Sequence, residues 1–351
     1  MRINSFECGL GYVSDDLVER MIGDQRERLG MADGSPTLAV TLGYPDPASE
    51  SYALQALYHG QELAFPVRDG GKPPVKLYVP TATGFDIIRT PQDFKAAQEN
   101  GLYTPITEEQ RREHDDKLVG ITQDLNDDST ITGQLHLFRT ATPEGQLRVR
   151  ETISPYKDPD GVSVNRLVTP ATPEAQVALA EDILDTPIDQ IDPRTIAVIG
   201  NGALVGGPLV NEVLPQHGVD IRELGMVLGT RKEIEEGIPC IKNFDIRLIF
   251  TAIPVAARLR NEHVRAEGLT VVDAGYAIDQ LTDCPTGNVH PDLLALNGLC
   301  MNGARRPNAI TSFRRGVGPV TTAIVFDRSL PPRLHDAQPQ AHDLDLAVIG
   351  G

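Results

Sequence analysis

The sequence predicts an α/β protein of two lobes with a cleft between them, the second lobe a doubly wound parallel sheet. Three observations carry this. From Thr195 onward short apolar strands alternate with helical stretches, the pattern of a parallel sheet covered by helices on both faces. Earlier, TLAVTLG (37–43) has the β-branched, apolar character of a buried strand and SYALQALYHGQELA (51–64) then takes up helical spacing, so a separate strand-helix unit comes first. At TIAVIGNGALVGGPLV a glycine-rich turn joins strand to helix, a layout that points backbone N–H groups at a pyrophosphate.

After the 51–64 helix, PVRDGGKPPVKLYVPTATGFD is rich in proline and glycine and reads as a loop or hairpin insertion, about 66–105. TEEQRREHDDKLVGITQDLNDD, from Thr107, opens with a threonine cap and early glutamates, which predicts an amphipathic helix, and ITGQLHLF, from Ile131, predicts a strand. TPEAQVALAEDILDT reads as a helix crossing to the second lobe, whose strands are TIAVIG, VDIREL, RLIFTAI and LTVVDAG, with a helix from Gly206 to Leu214. The expected boundaries are 1–165 for the first lobe, 166–310 for the second, and 311–351 for a helix returning to the first lobe plus a loose tail. A chain of 351 residues accommodates two such domains.

With 32 basic and 49 acidic residues the formal charge is -17, which excludes non-specific attraction to nucleic acid or an anionic membrane. An anionic ligand therefore needs a local basic site. Cys8, Cys240, Cys284 and Cys300 form no C-x-x-C pair, so reduced thiols are expected and neither a disulfide framework nor a metal site. The start, MRINSFECGLGYVSDDLVER, lacks a basic region followed by an apolar core, and no apolar run is long enough to cross a bilayer; a cytoplasmic location is expected.

The glycine turn departs from the common G-x-G-x-x-G spacing, because Gly200 and Gly202 are followed by Val205, with Gly206 one place late. VIGNGALVGGP resembles instead the V-x-G-R-S-x-x-V-G-x-P loop of the methylenetetrahydrofolate dehydrogenase/cyclohydrolase family, matched at Gly200, Val205, Gly206 and Pro208. Five further stretches follow in that family's order. PDPASESY (45–52) resembles G-D-x-P-A-S-x-x-Y, ITGQLHLF (131–138) resembles G-I-L-V-Q-L-P-L, and KDPDG (157–161) resembles K-D-V-D-G. VVDAG (271–275) is similar to V-I-D-V-G, and GVGPVTTA (316–323) to G-V-G-P-M-T-x-A. The resemblance spans roughly Ser35 to Asp327.

It implies a first lobe that binds folate and catalyses, a second, Rossmann-type lobe that binds a nicotinamide cofactor, and a homodimer through that second lobe. On the folate side it implies that Tyr52 stacks near the ligand, Gln134 lines the cleft and Asp160 hydrogen-bonds the pterin, with Gly316 and Pro319 at the substrate and Gly275 at the cofactor. A carboxylate suits a pterin because the amino-pyrimidinone edge presents adjacent donors. Read from the residues alone, Asp160 in D-P-D-G is a turn former.

Three departures refine these expectations. Four places after its tyrosine the family carries a lysine that assists the cyclohydrolase step, and here Ala56 stands there. Hydride loss from the methylene group asks for orientation, whereas hydrolysis of the resulting cation asks for a base, so the dehydrogenase step is expected to survive and the cyclohydrolase step to be weak or absent. His59 shares roughly the face of Tyr52 and Ala56 and is the candidate substitute base, which would keep the protein bifunctional. Where the family has P-V-P-G-G this chain has SFRRG, and Arg314 and Arg315 are candidates to clamp carboxylates, of a folate tail or of a different acidic or one-carbon substrate.

The family's phosphate-holding R-S pair and a later serine are replaced by Asn201, Gly202 and Gly225. Glu223, placed at the end of VDIREL, is expected to accept the ribose hydroxyls of NAD, so NAD is preferred, while Arg231 in GTRKE leaves NADP possible. The three changes together also admit a non-catalytic protein that binds folate or nucleotide and regulates a partner.

Overall fold

The computed structural model describes residues 6–7, 11–31, 38–42, 47–63, 75–81, 84–100, 133–137, 171–202, 205–279 and 284–330. Phe6–Glu7 (β1) and Gly11–Tyr12 (β2) form a short antiparallel ribbon, after which the helix Asp15–Met31 begins with two aspartates in its first turn, where the helix dipole favours them.

The first sheet is built from Leu38–Leu42 (β3), Val75–Thr81 (β4), Gly84–Ile88 (β5) and Gly133–Leu137 (β6), in the order β5-β4-β3-β6. β3 runs parallel to both β4 and β6, and every residue of its LAVTL is buried, as a central parallel strand requires. The helix Pro47–Leu63 makes the crossover from β3 to β4. The stretch expected as an insertion therefore includes a hairpin, β4 against β5, but its first strand lies inside the sheet. Pro73, Pro74 and Pro80 disguised it, because proline argues against an interior strand. Beyond β5, Thr90 caps the helix Pro91–Glu99 by accepting a hydrogen bond from Asp93 N at 3.1 Å. The helix expected from Thr107 and the K-D-P-D-G turn lie outside the described residues.

The second sheet takes Ile196–Ile199 (β7), Met226–Leu228 (β8), Leu248–Thr251 (β9) and Thr270–Asp273 (β10). A small hairpin, Ala277–Asp279 (β11) with Cys284–Thr286 (β12), follows, and Ala309–Ile310 (β13) completes the sheet. The order is β8-β7-β9-β10-β13 and all its pairings are parallel. VDIREL is not the second strand: Ile221–Glu223 is a 3-10 turn and the strand is the following MVL. Asp220 causes the difference, since its side chain accepts from Arg222 N at 3.0 Å and turns the chain locally.

Three helices join the lobes. Ala171–Leu184 gives Ala171 to the apolar cluster of the first lobe and Ala175, Leu179 and Ile183 to that of the second. Val317–Ser329 gives Val317 and Val320 to the second lobe and Val325 and Phe326 to the first. The Asp15–Met31 helix packs Leu17 and Met21 on the second cluster and Ile22 in the first. Ion pairs Arg328–Glu174 and Arg28–Asp327 tie the final helix to the other two. Among the described residues no helix is long and apolar enough to cross a membrane.

Phe326 is 1% exposed on the joining helix Val317–Ser329, in the apolar cluster of the first lobe. Phe326→Ala is expected to cost about 3–5 kcal/mol, read by urea denaturation, with both lobes losing stability together. A loss confined to one lobe, or a change below about 0.5 kcal/mol, would contradict the shared junction.

Candidate active site

The turn after β7 is folded so tightly that two of its glycines are obligatory. Gly200 donates to Leu228 O at 2.8 Å and has φ +108, and a Cβ there would lie 2.4 Å from Ala252 O. A Cβ on Gly206 would lie 1.8 Å from Gly200 O. The late glycine thus lets the helix start cross directly over the first glycine. Gly202 has no such neighbour, so its lack of a side chain leaves space open rather than avoiding a clash. Val205 accepts from Leu209 N at 2.9 Å as the helix begins, and Pro208 sits in the first turn, where a missing N–H costs nothing.

Behind the turn lies a cavity of about 540 Å³ at the C-terminal ends of β7, β8 and β9, where the strand order reverses. That crevice is where open α/β sheets hold their ligands. Gly200, Asn201, Gly202, Gly229, Arg231, Ile253, Pro254 and Arg258 are among its walls. Two guanidiniums thus face a cavity in a chain of charge -17, the local basic site that an anionic ligand requires. A larger cavity, about 680 Å³, lies among the joining helices and is lined by Asp15, Glu19 and Glu62 with a single arginine, Arg26. Burial, with Asp15 and Glu19 nearby, holds the Glu62 carboxyl above its usual range against the pull of Arg26. An anionic dinucleotide fits the first cavity and not the second.

A buried carboxylate organises the same edge of the sheet. Asp273, at the end of β10, accepts hydrogen bonds from Thr251 Oγ1 (2.7 Å), Gly275 N (2.8 Å), Asn288 N (2.7 Å) and Val289 N (3.2 Å). Burial pushes its carboxyl up from the usual range, and these donors oppose that shift. Gly275 is required here, because a Cβ would lie 2.1 Å from the Asn288 side chain. In VVDAG the glycine therefore serves the acid two places before it, and an acid ending an apolar parallel strand signals a buried, hydrogen-bonded group.

Glu223 and Gly225 stand at the wrong end of β8 for the roles expected of them. β8 pairs in parallel with β7, Met226 opposite Ala197 and Leu228 opposite Ile199, so the glycine turn follows the C-terminal end while Glu223 precedes the strand. Three residues of strand, about 10 Å, separate Glu223 from that end. Gly225 donates to Pro193 O at 3.0 Å on the same far side. The residues that do follow β8 are Gly229, Thr230 and Arg231. Thr230 caps its helix in a box with Glu233, and Arg231 is paired with Glu235 at 2.9 Å.

In the first lobe Tyr52 is half-buried against the apolar cluster, and Ala56 is 1% exposed within it. His59 is buried, its Nε2 is 2.9 Å from Gln25 Oε1 and its ring lies 4.7 Å from that of Phe326. Gln25 Nε2 donates to Ala323 O, so its Oε1 is the acceptor and His59 Nε2 carries the proton. Burial first, and Arg26 second, lower the His59 pKa to about 4. Such a ring is too weakly basic to activate water at neutral pH, and the structure uses it to join helices.

Gln134 lies in β6 opposite Ala39, its side chain outside the described residues, as is Asp160 altogether. Arg315 is paired with Asp15, and its carbonyl accepts from Ser14 N at 2.7 Å, so it is held rather than available as a clamp. Arg314 is exposed. Gly316 closes against Ser312 O, and Gly318 lies against Gln55, which brings the Pro319 turn to the helix that carries Tyr52. Between the strand-end loops Tyr276 and Phe313 form an aromatic pair 5.7 Å apart that sequence reading did not single out. Among the described residues no cluster of histidine, cysteine and acidic side chains could hold a metal, and Cys240, Cys284 and Cys300 are free and exposed.

His59 gives the junction a pH dependence. Its folded pKa of about 4 lies below the ordinary 6.5, so the unfolded chain binds the extra proton first as pH falls. Its contribution is complete above pH 6.5 and is lost progressively towards pH 4, about 3 kcal/mol in all. Urea titrations at pH 7 and 4.5 are expected to show a smaller pH-dependent loss in His59→Gln than in the native chain; an equal loss would refute the assignment.

No family model matches the chain. Curated relatives include the Bifunctional protein FolD of Halothermothrix orenii, 26% identical over 68% of this chain and 80% of its own length, and Bifunctional protein FolD 1 of Rhodococcus jostii, 28% identical over 67% and 74%. The bifunctional 5,10-methylenetetrahydrofolate dehydrogenase/cyclohydrolase of Thermoplasma acidophilum superposes with a TM-score of 0.53 at 16% identity, covering 90% of this chain and 95% of its own. A 5,10-methylenetetrahydrofolate dehydrogenase from the silkworm Bombyx mori gives 0.51 at 19%, with the same coverage. These two likenesses establish the two-lobed fold. In sequence the chain is similar to these curated FolD proteins, and in fold to the methylenetetrahydrofolate dehydrogenases.

Proposed function

We propose that the chain oxidises 5,10-methylenetetrahydrofolate to 5,10-methenyltetrahydrofolate with NAD or NADP, and that its cyclohydrolase activity is weak or absent. The observation that carries this reading is the cavity behind the Gly200–Gly206 turn, at the strand-order reversal and with two arginines in its walls. The activities named for its relatives support the choice of substrate. A nicotinamide, when bound, supplies the hydride acceptor. The chain's own part is placement: Gly200 and Gly206 let backbone approach the pyrophosphate, and Gly275 lets Asn288 pack against the end of β10. Tyr52 and Asp160 hold the folate, Gln134, Gly316 and Pro319 line its side of the cleft, and Arg314 meets its carboxylates without Arg315.

Two observations support loss of the second activity. Ala56 is packed among apolar side chains, and His59 is committed to Gln25 with a pKa of about 4. The preference for NAD expected from Glu223 loses its support with that residue on the far side of β8, so either dinucleotide enters the proposal. A homodimer through the second lobe belongs to the same reading, since β8 is the outer strand of its sheet and Val227 on it is 39% exposed.

Purified protein given methylenetetrahydrofolate with NAD or NADP is expected to accumulate methenyltetrahydrofolate, followed by its absorbance. Failure to reduce either dinucleotide would end the dehydrogenase reading, and binding of both ligands without turnover would make the chain a binding protein. Prompt conversion onward to formyltetrahydrofolate would restore the bifunctional one. Light scattering is expected to give the mass of two chains, and Val227→Glu to lower it; a single-chain mass for the native protein removes the dimer.

A further inference from the structure

The cavity wall after β9 is held with unusual care. The buried Asn288 side chain accepts from Ile253 N at 3.0 Å and donates to Ile253 O at 2.6 Å and Val255 O at 2.8 Å. Ala257 N donates to Gly287 O and Leu259 N to Asn288 O, each at 2.9 Å, while His290 N donates to Leu259 O at 2.8 Å. Ala257 is thereby fixed at φ +47, a left-handed conformation that alanine adopts only where its surroundings impose it. The residue aimed by this strap is the next one, Arg258, which lines the cavity with Gly200, Gly229 and Arg231.

Charge distinguishes the two arginines. The Arg231 guanidinium is engaged by Glu235, which is the single carboxylate among the cavity's lining residues. Arg258 makes no ion pair or hydrogen bond among the described residues; Glu235 feels its charge too, but is paired with Arg231, so Arg258 adds the excess positive charge. A planar guanidinium matches a phosphate monoester better than it matches a ribose hydroxyl. In this crevice the glycine turn takes the pyrophosphate, which leaves the ends of β8 and β9 to the adenosine ribose.

We propose that Arg258 selects the dinucleotide by binding a phosphate on its adenosine ribose, and that Asn288 is the residue that positions it. The proposal rests on reading the cavity as a dinucleotide site. Asn288 is itself fixed by Asp273, which accepts from its backbone N, so the aim of Arg258 is set from the sheet outward.

The full chain would be titrated calorimetrically with adenosine 2′,5′-bisphosphate and with adenosine 5′-monophosphate. The native protein is expected to bind the bisphosphate about tenfold more tightly, the worth of one charge-assisted contact. Arg258→Ala is expected to bring the ratio to about one without changing the affinity for the monophosphate. Asn288→Ala, or Asn288→Ser should the first variant not fold, is expected to lower the ratio about threefold and to add nothing in the Arg258→Ala background. A native ratio of about one, or a ratio that survives Arg258→Ala, overturns the selection. Effects of the two substitutions that add independently overturn the positioning. A native chain that binds neither nucleotide, nor NAD or NADP, overturns the dinucleotide reading beneath both.

Discussion

Much of the second lobe depends on one buried carboxylate. Withdrawing a carboxyl group from water is costly unless its oxygens are hydrogen-bonded, and Asp273 meets that demand with a threonine hydroxyl and three backbone amides from three segments. Each donor fixes a piece of the sheet's C-terminal edge: the end of β9, the turn after β10, and the 288–289 strap. The demand propagates into sequence, since a Cβ at Gly287 would lie 2.2 Å from Asp273 Oδ2, and one at Gly275 would strike Asn288. Glycines that look like ordinary turn formers are thus there to let other groups reach the acid.

The joining helices impose a second constraint, felt on the folate side. His59, Gln25 and Ala323 form a polar link across three helices in otherwise apolar surroundings, and Phe326 stacks near the imidazole. A group committed in this way cannot also move protons for a substrate. The helix Pro47–Leu63 is given over to packing along this face: Ala53, Ala56 and Leu57 are all buried. Ala56, where the proposal places the missing base, is 1% exposed and belongs to that packing.

What could be read in the sequence was whatever a local pattern enforces. The strands of the second sheet are apolar runs long enough to announce themselves, and the glycine turn is legible because Gly200 and Gly206 answer to contacts within a few residues. β4 is hidden in the sequence by the prolines in and before it, yet Pro80 stands beyond the residues that pair with β3 and leaves that ladder intact. VDIREL was misread because an alternating polar pattern can be a strand or, when Asp220 bonds to Arg222, a turn. That error moved Glu223 to the wrong end of β8. Asn288 and Arg258 had no local signal at all: they lie 30 residues apart, and only the strap that joins them gives either a part in the site. The rule that ligands bind beyond the C-terminal ends of parallel strands, applied to the loop after RLIFTAI, was the one route to Arg258.

Charge is where the global and local descriptions diverge. A formal charge of -17 opposes the approach of an anionic dinucleotide at long range, yet over a Debye length of about 8 Å at physiological salt most of that charge is screened. Arg231 and Arg258 stand in the cavity walls, inside that distance of any ligand there. Binding there turns on which of the two is freer to act, and Arg231 already shares its charge with Glu235. Salt then acts in two directions, easing the long-range repulsion while weakening the contact at Arg258. An exposed contact has little dielectric protection, so beyond moderate ionic strength the second effect prevails, and what salt leaves untouched is the backbone geometry of the Gly200–Gly206 turn.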